Sequence, residues 1–375
     1  MIRAYVQENA EVRQFETANT EYIARSLPLA RLMGLLWPTL ELTLGLAVVL
    51  VLWLGGREVL LKRIDIGAFT AFFTYMIQLT WPVIALGWVI NIFQRGSASY
   101  RRITELVSEP PAITSRPGAV RPARAARGDL EFRDLTYRYP GGSRDVLSRV
   151  SFHVPAGATV ALVGRTGSGK STVLALPARV FDPPPQTVFV DGHDVRDLDL
   201  AWLRHQIASV PQDPFLFSTT VAANIAYGVP AEDAAAIERA AAVAHLTGDV
   251  AGFPAGFATR IGERGITMSG GQRQRTAIAR AVLHDAPILL LDDCLSSVDT
   301  QTEEAILAEL RGEMRRRTTV IVSHRVSTVR DADLILVFEH GAIVERGRHA
   351  ELLALGGHYA ALNRAQQLEE EIASA

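Results

Sequence analysis

Two long apolar segments in the first hundred residues constrain the fold of this chain more than any other feature. Residues 32–56, LMGLLWPTLELTLGLAVVLVLWLGG, contain one charged side chain, Glu41, and residues 66–94 contain none. About 20 apolar residues in a helix are enough to cross roughly 30 Å of hydrocarbon. Two buried core helices are the alternative, but helices that are apolar on every face are rare outside large interiors. The segments therefore predict two membrane spans, rich in interfacial tryptophan: Trp37, Trp53, Trp81 and Trp88.

The residues around and within these segments carry weaker signals. Residues 1–31 are charged throughout and have no early apolar core, so they predict a polar helix that leads into the first span, not a signal peptide. The distribution of basic residues agrees only weakly with a cytoplasmic location for the rest of the chain. Three polar residues inside the spans are candidates for a translocation pathway or, equally, for hydrogen bonds between helices: Glu41, Gln78 and Asn91.

Composition argues against two classes of protein. A net charge of −2 over 375 residues, without a basic stripe, gives no reason to expect nucleic acid as a partner. The single cysteine, Cys294, excludes a disulfide framework within the chain and fits a reducing compartment.

Residues 107–128 are rich in Pro, Ala and Arg without an apolar period, which predicts a linker.

Beyond the linker, a glycine-rich loop follows a short apolar strand at residues 159–163. The spacing G-x-x-x-x-G-K-[ST] is met by Gly164, Gly169, Lys170 and Ser171. A glycine turn that matches this pattern by chance is the alternative, and the strand-loop-helix context argues against it. Glycines let backbone N–H groups surround phosphate oxygens, lysine adds positive charge, and the serine hydroxyl suits Mg²⁺. Apart from Lys62, Lys170 is the only lysine. The loop therefore predicts an ATP site formed by Gly164, Arg165, Thr166, Gly167, Ser168, Gly169, Lys170, Ser171 and Thr172.

Two further apolar strands end in polar residues. Residues 288–291 are followed by Asp292 and Asp293, and residues 319–322 by Ser323 and His324. Ligands of open α/β sheets bind beyond the carboxyl ends of the parallel strands. We therefore expect Asp292 to hold Mg²⁺, and Asp293 and His324 to lie near the attacking water. A structural role at the strand end is the alternative for the histidine.

Taken with MSGGQ at residues 268–272, these motifs resemble the ATP-binding cassette (ABC) transporters of exporter type over essentially the whole chain. GRTGSGKST resembles Walker A, SVPQDPFLF the Q-loop, GERG at 262–265 the X-loop, MSGGQ the signature, ILLLD Walker B, SSVD at 296–299 the D-loop and SHR the switch, in the family's order. The resemblance implies an α/β P-loop NTPase, with a RecA-like core and antiparallel β and helical subdomains, preceded by a helical transmembrane segment. It divides the chain into transmembrane residues 1–106, linker 107–128, nucleotide-binding domain 129–365 and tail 366–375.

The resemblance also implies roles for particular residues. Gln212 is implied to serve Mg²⁺ and catalysis, and Asp299 belongs to the D-loop. Tyr139 in TYRYPGG is implied to stack on adenine, with Tyr137 as the alternative. Two cassettes would close head to tail on two ATP molecules, and hydrolysis would reset them. Each signature would then bind the partner's ATP, here through Ser269, Gly270, Gly271 and Gln272.

Two departures from the family pattern concern the chain's extent and one helix. A half-transporter of the family usually has six spans, and this sequence shows two. We therefore expect an N-terminally truncated half-transporter that forms no translocation pathway alone. Pro177 falls within the first two turns predicted after the glycine loop, where we expect a kink and local adjustment without loss of ATP binding.

The third departure is Asp293, because the family normally has glutamate at this position. Aspartate withdraws the carboxylate by roughly 1 Å, and a misplacement of that order can cost about 100-fold in rate. We therefore expect slow hydrolysis at this Walker site, which resembles the degenerate-site subunit of heterodimeric multidrug-type exporters. Alternatively, backbone adjustment lets Asp293 act as the base. The expected partner is a second ABC half-transporter, with a heterodimer favoured over a homodimer.

The sequence thus predicts the ATP-hydrolysing subunit of a bacterial-type exporter. It would be a multi-pass protein of the plasma membrane, in contact with lipid, with its ATP-binding domain in the cytoplasm and a small molecule or lipid as substrate. Two alternatives stay open. One is a non-hydrolysing, ATP-gated regulatory subunit. The other is a soluble ABC ATPase acting on nucleic acid or ribosomes, which would need no spans and would show paired cassettes or a basic stripe.

Overall fold

The chain forms two compact units, Met1–Pro110 and Pro111–Ala375. A computed structural model describes residues 2–262, 268–297 and 300–374. Each unit is built from a different kind of element. The first is helical, and the second combines two sheets with surrounding helices.

The first unit consists of two long helical stretches. Helix α1 (Glu8–Leu50) continues through a π-helical turn (Val51–Gly55) into α2 (Gly56–Leu60), and α3 spans Ile66–Val107. Asp65 begins α3 by accepting a hydrogen bond from the Ala68 backbone N–H. Both stretches are long and apolar enough to cross a membrane. Their large apolar side chains are exposed, as expected of surfaces that face lipid or other spans, including Trp37, Trp53, Trp81 and Trp88.

The second unit contains ten strands in its described residues: β1 (Leu130–Tyr137), β2 (Leu147–Val154), β3 (Thr159–Gly164), β4 (Val188–Val190), β5 (His193–Asp194), β6 (Ile207–Val210), β7 (Ile288–Asp292), β8 (Thr318–Val322), β9 (Leu334–Glu339) and β10 (Ala342–Gly347). Six of them form a sheet in the order β10-β9-β3-β8-β7-β6. All neighbours in that sheet are parallel except β9 and β10. The other four form an antiparallel sheet in the order β2-β1-β4-β5.

The helices of the second unit connect these strands and cover the six-stranded sheet. In chain order they are α4 (Lys170–Ala175), α5 (Leu200–His205), α6 (Val221–Ile225), α7 (Ala234–Val243), α8 (Thr247–Ala251), α9 (Gly270–His284), α10 (Thr300–Met314), α11 (Val326–Val329), α12 (His349–Leu355) and α13 (His358–Ser374). Helices α6 and α7 pack against α9 and form a helical subdomain with it.

Burial on both faces explains why the inner strands are continuous aliphatic runs. In β7, Leu289 and Leu291 pack into the core on one face, and Ile288 and Leu290 into the core on the other. The predicted strands at 159–163, 288–291 and 319–322 correspond to β3, β7 and β8. The predicted fold class, an α/β P-loop domain after a helical segment, is confirmed.

The expected kink at Pro177 is wrong. Helix α4 ends at Ala175, and residues 176–179 form a turn instead of a bent continuation of the helix. Two backbone hydrogen bonds close that turn, one from Arg179 N to Leu176 O and one from Val180 N to Ala175 O. Leu176 still has helical backbone angles, but Pro177 has no backbone N–H to continue the i to i−4 hydrogen bonds, so the helix stops at this point.

Candidate functional site

The carboxyl ends of four parallel strands bring the predicted site residues to one edge of the six-stranded sheet. Strand β8, which ends just before His324, lies between β3 with its glycine loop and β7 with its aspartates. These ends border an open cleft of 220 Å³. Its lining includes most of the predicted site: Gly164, Thr166, Gly167, Gly169, Lys170, Ser171, Thr172, Gln212, Asp292, Asp293 and His324.

The glycine loop approaches neighbouring residues too closely for side chains at two positions. A Cβ on Gly164, whose φ is +142°, would lie 2.2 Å from the carbonyl oxygen of Phe338. A Cβ on Gly169, at φ +101°, would lie 2.7 Å from a methyl carbon of Leu147. Glycine is the residue that adopts such conformations at little cost. The loop is therefore held tightly against β9 and the start of β2.

Lys170 lies across the inside of this loop. Its Nζ donates to the carbonyl oxygens of Gly164 at 2.8 Å and Arg165 at 2.9 Å, and to Ser168 Oγ at 3.3 Å. Burial lowers the pKa of Lys170, and the carboxylates of Asp293 and Asp292 partly oppose that shift. The loop thus fixes an ammonium group where a phosphate chain would enter.

Ser171 and Asp292 form the first polar pair of the cleft. Ser171 Oγ donates to Asp292 Oδ1 at 3.0 Å across the cleft. Burial raises the pKa of Asp292, whereas the Ser171 hydrogen bond lowers it. Mg²⁺ prefers oxygen ligands and takes one or two carboxylates along with water and phosphate. The pair fits such an ion, with Gln212 on the same cleft. Among the described residues no cluster of three or more His, Cys, Asp or Glu would hold a metal by itself.

Asp293 and His324 form the second polar pair of the cleft. His324 Nδ1 lies 2.8 Å from Asp293 Oδ1, and the Asp293 backbone N–H donates to Val322 O at 2.9 Å. The hydrogen bond with Asp293 is the main reason that the pKa of His324 is raised. Asp293 has φ +46°, in the left-handed region, which aspartate tolerates better than most residues. This backbone conformation directs the carboxylate toward the end of β8.

The structure distinguishes between the two tyrosines considered for adenine stacking. Tyr137 ends β1 with only 4% of its surface exposed. Tyr139 is half-buried, and its hydroxyl lies 2.9 Å from Oγ1 of Thr172 on α4. Tyr139 also makes edge contacts with Tyr137 and with Phe181, whose ring centroids are 5.3 and 5.0 Å away. Tyr139 is therefore the tyrosine attached to the glycine-loop helix.

The residues predicted to form the signature lie apart from the cleft, and none of them is among the described residues that line it. Ser269 caps α9 by accepting from Gln272 N at 3.2 Å, and Ser269 N donates to Gln272 Oε1 at 2.9 Å. Gln272 also donates to Asp249 at 3.0 Å. This reciprocal capping box holds Ser269 and Gly270 at the beginning of α9. Gly271 is buried behind them, whereas Ser269 is exposed.

Gln274 is a linking residue that no motif indicated. Its buried carboxamide donates to Ser296 Oγ at 3.1 Å and to Gln212 O at 3.3 Å, and accepts from Ser297 N at 3.0 Å. One side chain of the signature helix thus holds both the segment after β6 and the segment after β7. The only sequence signal is a glutamine on the buried face of an amphipathic helix. The predicted D-loop residue Asp299 and residues 263–265 of GERG lie outside the described residues.

Comparison with known proteins places these features in context. Residues 147–296 match the family described as ABC transporter, and residues 1–83 match the family described as ABC transporter transmembrane region. The "ATP-dependent lipid A-core flippase" of Aromatoleum aromaticum is 43% identical over 371 residues, covering 99% of this chain and 61% of that protein. The "Probable multidrug resistance ABC transporter ATP-binding/permease protein YheI" of Bacillus subtilis is 38% identical, covering 98% of this chain and 63% of that protein.

A solved structure is similar over nearly the same extent. The chain described as "Structure of a bacterial Atm1-family ABC exporter with ATP bound" superposes with a TM-score of 0.80 at 32% identity. The match covers 97% of this chain and 64% of that one. The present chain therefore spans a little over three-fifths of the length of these similar proteins.

Proposed function

This chain belongs to the ABC transporter family, and we propose that it is one half of an ATP-driven exporter. It combines a transmembrane region with a cytoplasmic ATP-binding domain, for which we keep the boundaries 129–365. The observation that carries the proposal is the cleft, where Lys170, the Ser171–Asp292 pair and the Asp293–His324 pair meet. A phosphate chain, its metal ion and a hydrolytic water each have chemical partners there.

ATP binding would use the loop and the tyrosine beside it. The backbone N–H groups of residues 164–172 surround phosphate oxygens, and Lys170 neutralises their charge when it exchanges the loop carbonyls for phosphate. Tyr139 supplies a ring next to α4 for the adenine. Mg²⁺, when bound, would polarise the phosphate. Ser171, Asp292 and Gln212 are the residues that would hold it.

Hydrolysis at this site would be slow. A general base must lie within hydrogen-bond reach of the water that it activates. Asp293 is one methylene shorter than glutamate, and His324 already engages one of its carboxylate oxygens at 2.8 Å. We therefore keep the interpretation of a degenerate ATP site. If the backbone shifts on closure, Asp293 acts as the base, and this remains the competing interpretation.

The signature would act on the ATP of a second half-transporter. Ser269 and Gly270 stand exposed or half-exposed at the beginning of α9, away from the chain's own cleft. The N-terminus of a 15-residue helix favours anions, since its first N–H groups have no intrahelical partners. We favour a heterodimer, in which the partner's acid performs the hydrolysis, over a homodimer. A lipid or another amphiphilic small molecule is the substrate class that the names of the relatives suggest.

Two other functions are less well supported. A soluble ABC ATPase is disfavoured by the match of residues 1–83 to a transmembrane region. A non-hydrolysing, ATP-gated regulatory subunit has the same cleft and differs only in whether the assembled transporter turns over. Measuring ATP turnover after reconstitution with a partner that carries the catalytic glutamate distinguishes the two.

Equilibrium binding of Mg-ATP to the full chain in lipid nanodiscs tests the proposal. Lys170→Ala should abolish binding, because the phosphate loses its principal positive charge. Lys62→Ala is the matched control, since Lys62 is the only other lysine and lies in the exposed turn before α3. Equal ATP affinities of the two variants would contradict the assignment of the cleft.

A further inference from the structure

The loop that carries His324 is held by two elements in addition to the Asp293 contact. From α10, the buried carboxylate of Glu303 pairs with the guanidinium of Arg325 and accepts from the Thr328 hydroxyl at 2.9 Å. From α13, Gln366 contacts the loop backbone on both sides of Arg325. The position of the imidazole is thus set partly by helices that do not border the cleft.

The Gln366 carboxamide binds this loop as a neighbouring backbone would. Its Oε1 accepts from Val326 N at 2.8 Å, and its Nε2 donates to the His324 carbonyl oxygen. Val326 is the first residue of α11, where N–H groups lack intrahelical acceptors. Arg325, the N-cap residue, supplies no side-chain capping bond in the described part of the chain. Gln366 therefore provides the cap from another helix.

The attachment of α13 to the rest of the domain does not depend on Gln366. Tyr359 is fully buried, and Leu362 packs against the same core. The buried carboxylate of Glu345 accepts from the backbone N–H groups of His358 and Tyr359, at the beginning of α13. Removing the Gln366 side chain should therefore leave the helix in place and release only the loop.

We propose that Gln366 is a positioning residue for His324. Through it, α13 holds residues 324–326, the switch loop, so that the imidazole stays beside Asp293 and at the cleft. The proposal concerns how the histidine is placed. Its consequence for ATP turnover rests on the proposed function. Truncating the side chain removes two hydrogen bonds to the backbone of residues 324–326, so the imidazole should lose its fixed position while the glycine loop and Ser171–Asp292 pair stay unchanged.

Residue-resolved hydrogen exchange of the full chain in nanodiscs tests the positional claim. In Gln366→Ala the Val326 amide should exchange about 3- to 10-fold faster, as expected from the loss of one hydrogen bond of ordinary strength. The Arg325 amide, which donates to Ser323 Oγ at 3.0 Å, is an internal reference that should change less. Gln367→Ala is the matched control, because that neighbouring glutamine is exposed.

A conservative variant separates the two hydrogen bonds. Gln366→Glu keeps an acceptor for Val326 N but has no donor for the His324 carbonyl. It should protect the Val326 amide more than alanine does. Exchange in Gln366→Ala equal to that in Gln367→Ala would overturn the proposal, as would global loss of protection, which would show that the residue supports the whole domain.

ATP measurements on the same variants separate this inference from the proposed function. Gln366→Ala should leave the affinity for Mg-ATP within about twofold of wild type. In the described part of the chain, the hydrogen bonds of this side chain go to the backbone of residues 324–326 and none goes to the glycine loop. In an assembled transporter the maximal turnover should fall by no more than Asp293→Asn lowers it, and KM should not rise. If the wild-type chain fails to bind Mg-ATP, the proposed function is wrong, and the exchange result still decides the role of Gln366.

Discussion

The Nδ1 atom of His324 lies 2.8 Å from Oδ1 of Asp293, joining the end of β8 to the residue after β7. The carboxylate that would activate water is therefore already the partner of a histidine. The imidazole is about half exposed, whereas only 18% of the Asp293 side chain is exposed. His324 is therefore the more exposed member of the pair.

We expect the protonation of His324 to depend on Asp293. Because this hydrogen bond raises the pKa of His324, it stabilises the fold fully below the unfolded value of 6.5 and is lost as the pH rises through the raised folded value. Asp293→Asn should move the pKa of His324 back toward 6.5 and flatten thermal stability against pH in that window. NMR titration of the histidine checks this, and an unchanged titration would mean that another group sets its pKa.

If the signature of this chain acts on the partner's ATP, two substitutions should have unequal effects on ATPase activity. In the reconstituted heterodimer, Asp293→Asn should lower activity only modestly. Ser269→Arg places a bulky cation at the partner's phosphate site and should nearly abolish activity, matching the loss of about 10² to 10⁴-fold expected when the partner's catalytic glutamate becomes glutamine. Asp293→Glu should raise turnover at this site if the partner's signature is intact. Silencing of the complex by Asp293→Asn alone would show that this aspartate is a working base.

Two glycines of the loop form a matched pair for a stability test. Gly167→Ala, at φ +82° with no described atom within 4 Å of the added Cβ, should cost about 1 to 2 kcal/mol for the left-handed backbone. Gly164→Ala adds a clash with the Phe338 carbonyl oxygen at 2.2 Å, for which overpacking typically costs a further 1 to 3 kcal/mol or so. Denaturant unfolding of both variants measures the difference. Equal losses would indicate that the loop moves away from β9 at little cost.

If Tyr139 stacks on adenine, two substitutions at this position should have different effects on ATP binding. Tyr139→Ala should weaken Mg-ATP binding by about 5- to 150-fold, the equivalent of about 1 to 3 kcal/mol for one stacked base. Tyr139→Phe loses only the hydroxyl contact with Thr172 and should bind nearly as wild type. Inorganic triphosphate, which has no base, should bind both variants equally. If Tyr139→Ala binds ATP normally, the stacking residue is a different one.

Local sequence patterns predicted the parts of the site that local rules determine. A short aliphatic run before G-x-x-x-x-G-K-[ST] indicated β3, its loop and α4, and polar residues after two such runs indicated the ends of β7 and β8. Parallel strands place their carboxyl ends at one edge, which is why Lys170, Asp292 and His324 share the cleft. The expected kink at Pro177 is absent, because α4 already ends at Ala175, before the proline.

The contacts that hold the site in position depend on long-range packing and left no pattern to read. Gln274 and Gln366 each share their helix with another glutamine, and the sequence does not tell which glutamine contacts a loop or which loop it contacts. The left-handed backbone of Asp293 follows from its bond to Val322 O, a contact made by the neighbouring strand. Such relationships depend on strand order and helix placement, which residue spacing alone does not specify.

The Gln274 carboxamide has a thermodynamic consequence for two nucleotides at once. It attaches α9, the helix that Ser269 caps, to the Gln212 carbonyl at the rim of the chain's own cleft. If ATP in that cleft shifts the helix through this contact, then ATP held by the helix must shift the cleft by the same free energy, because linkage between binding sites is reciprocal. A subunit that hydrolyses slowly would then still change the ATP affinity of its partner's site. ATP at the partner's site would change the affinity of this subunit's own site by the same factor.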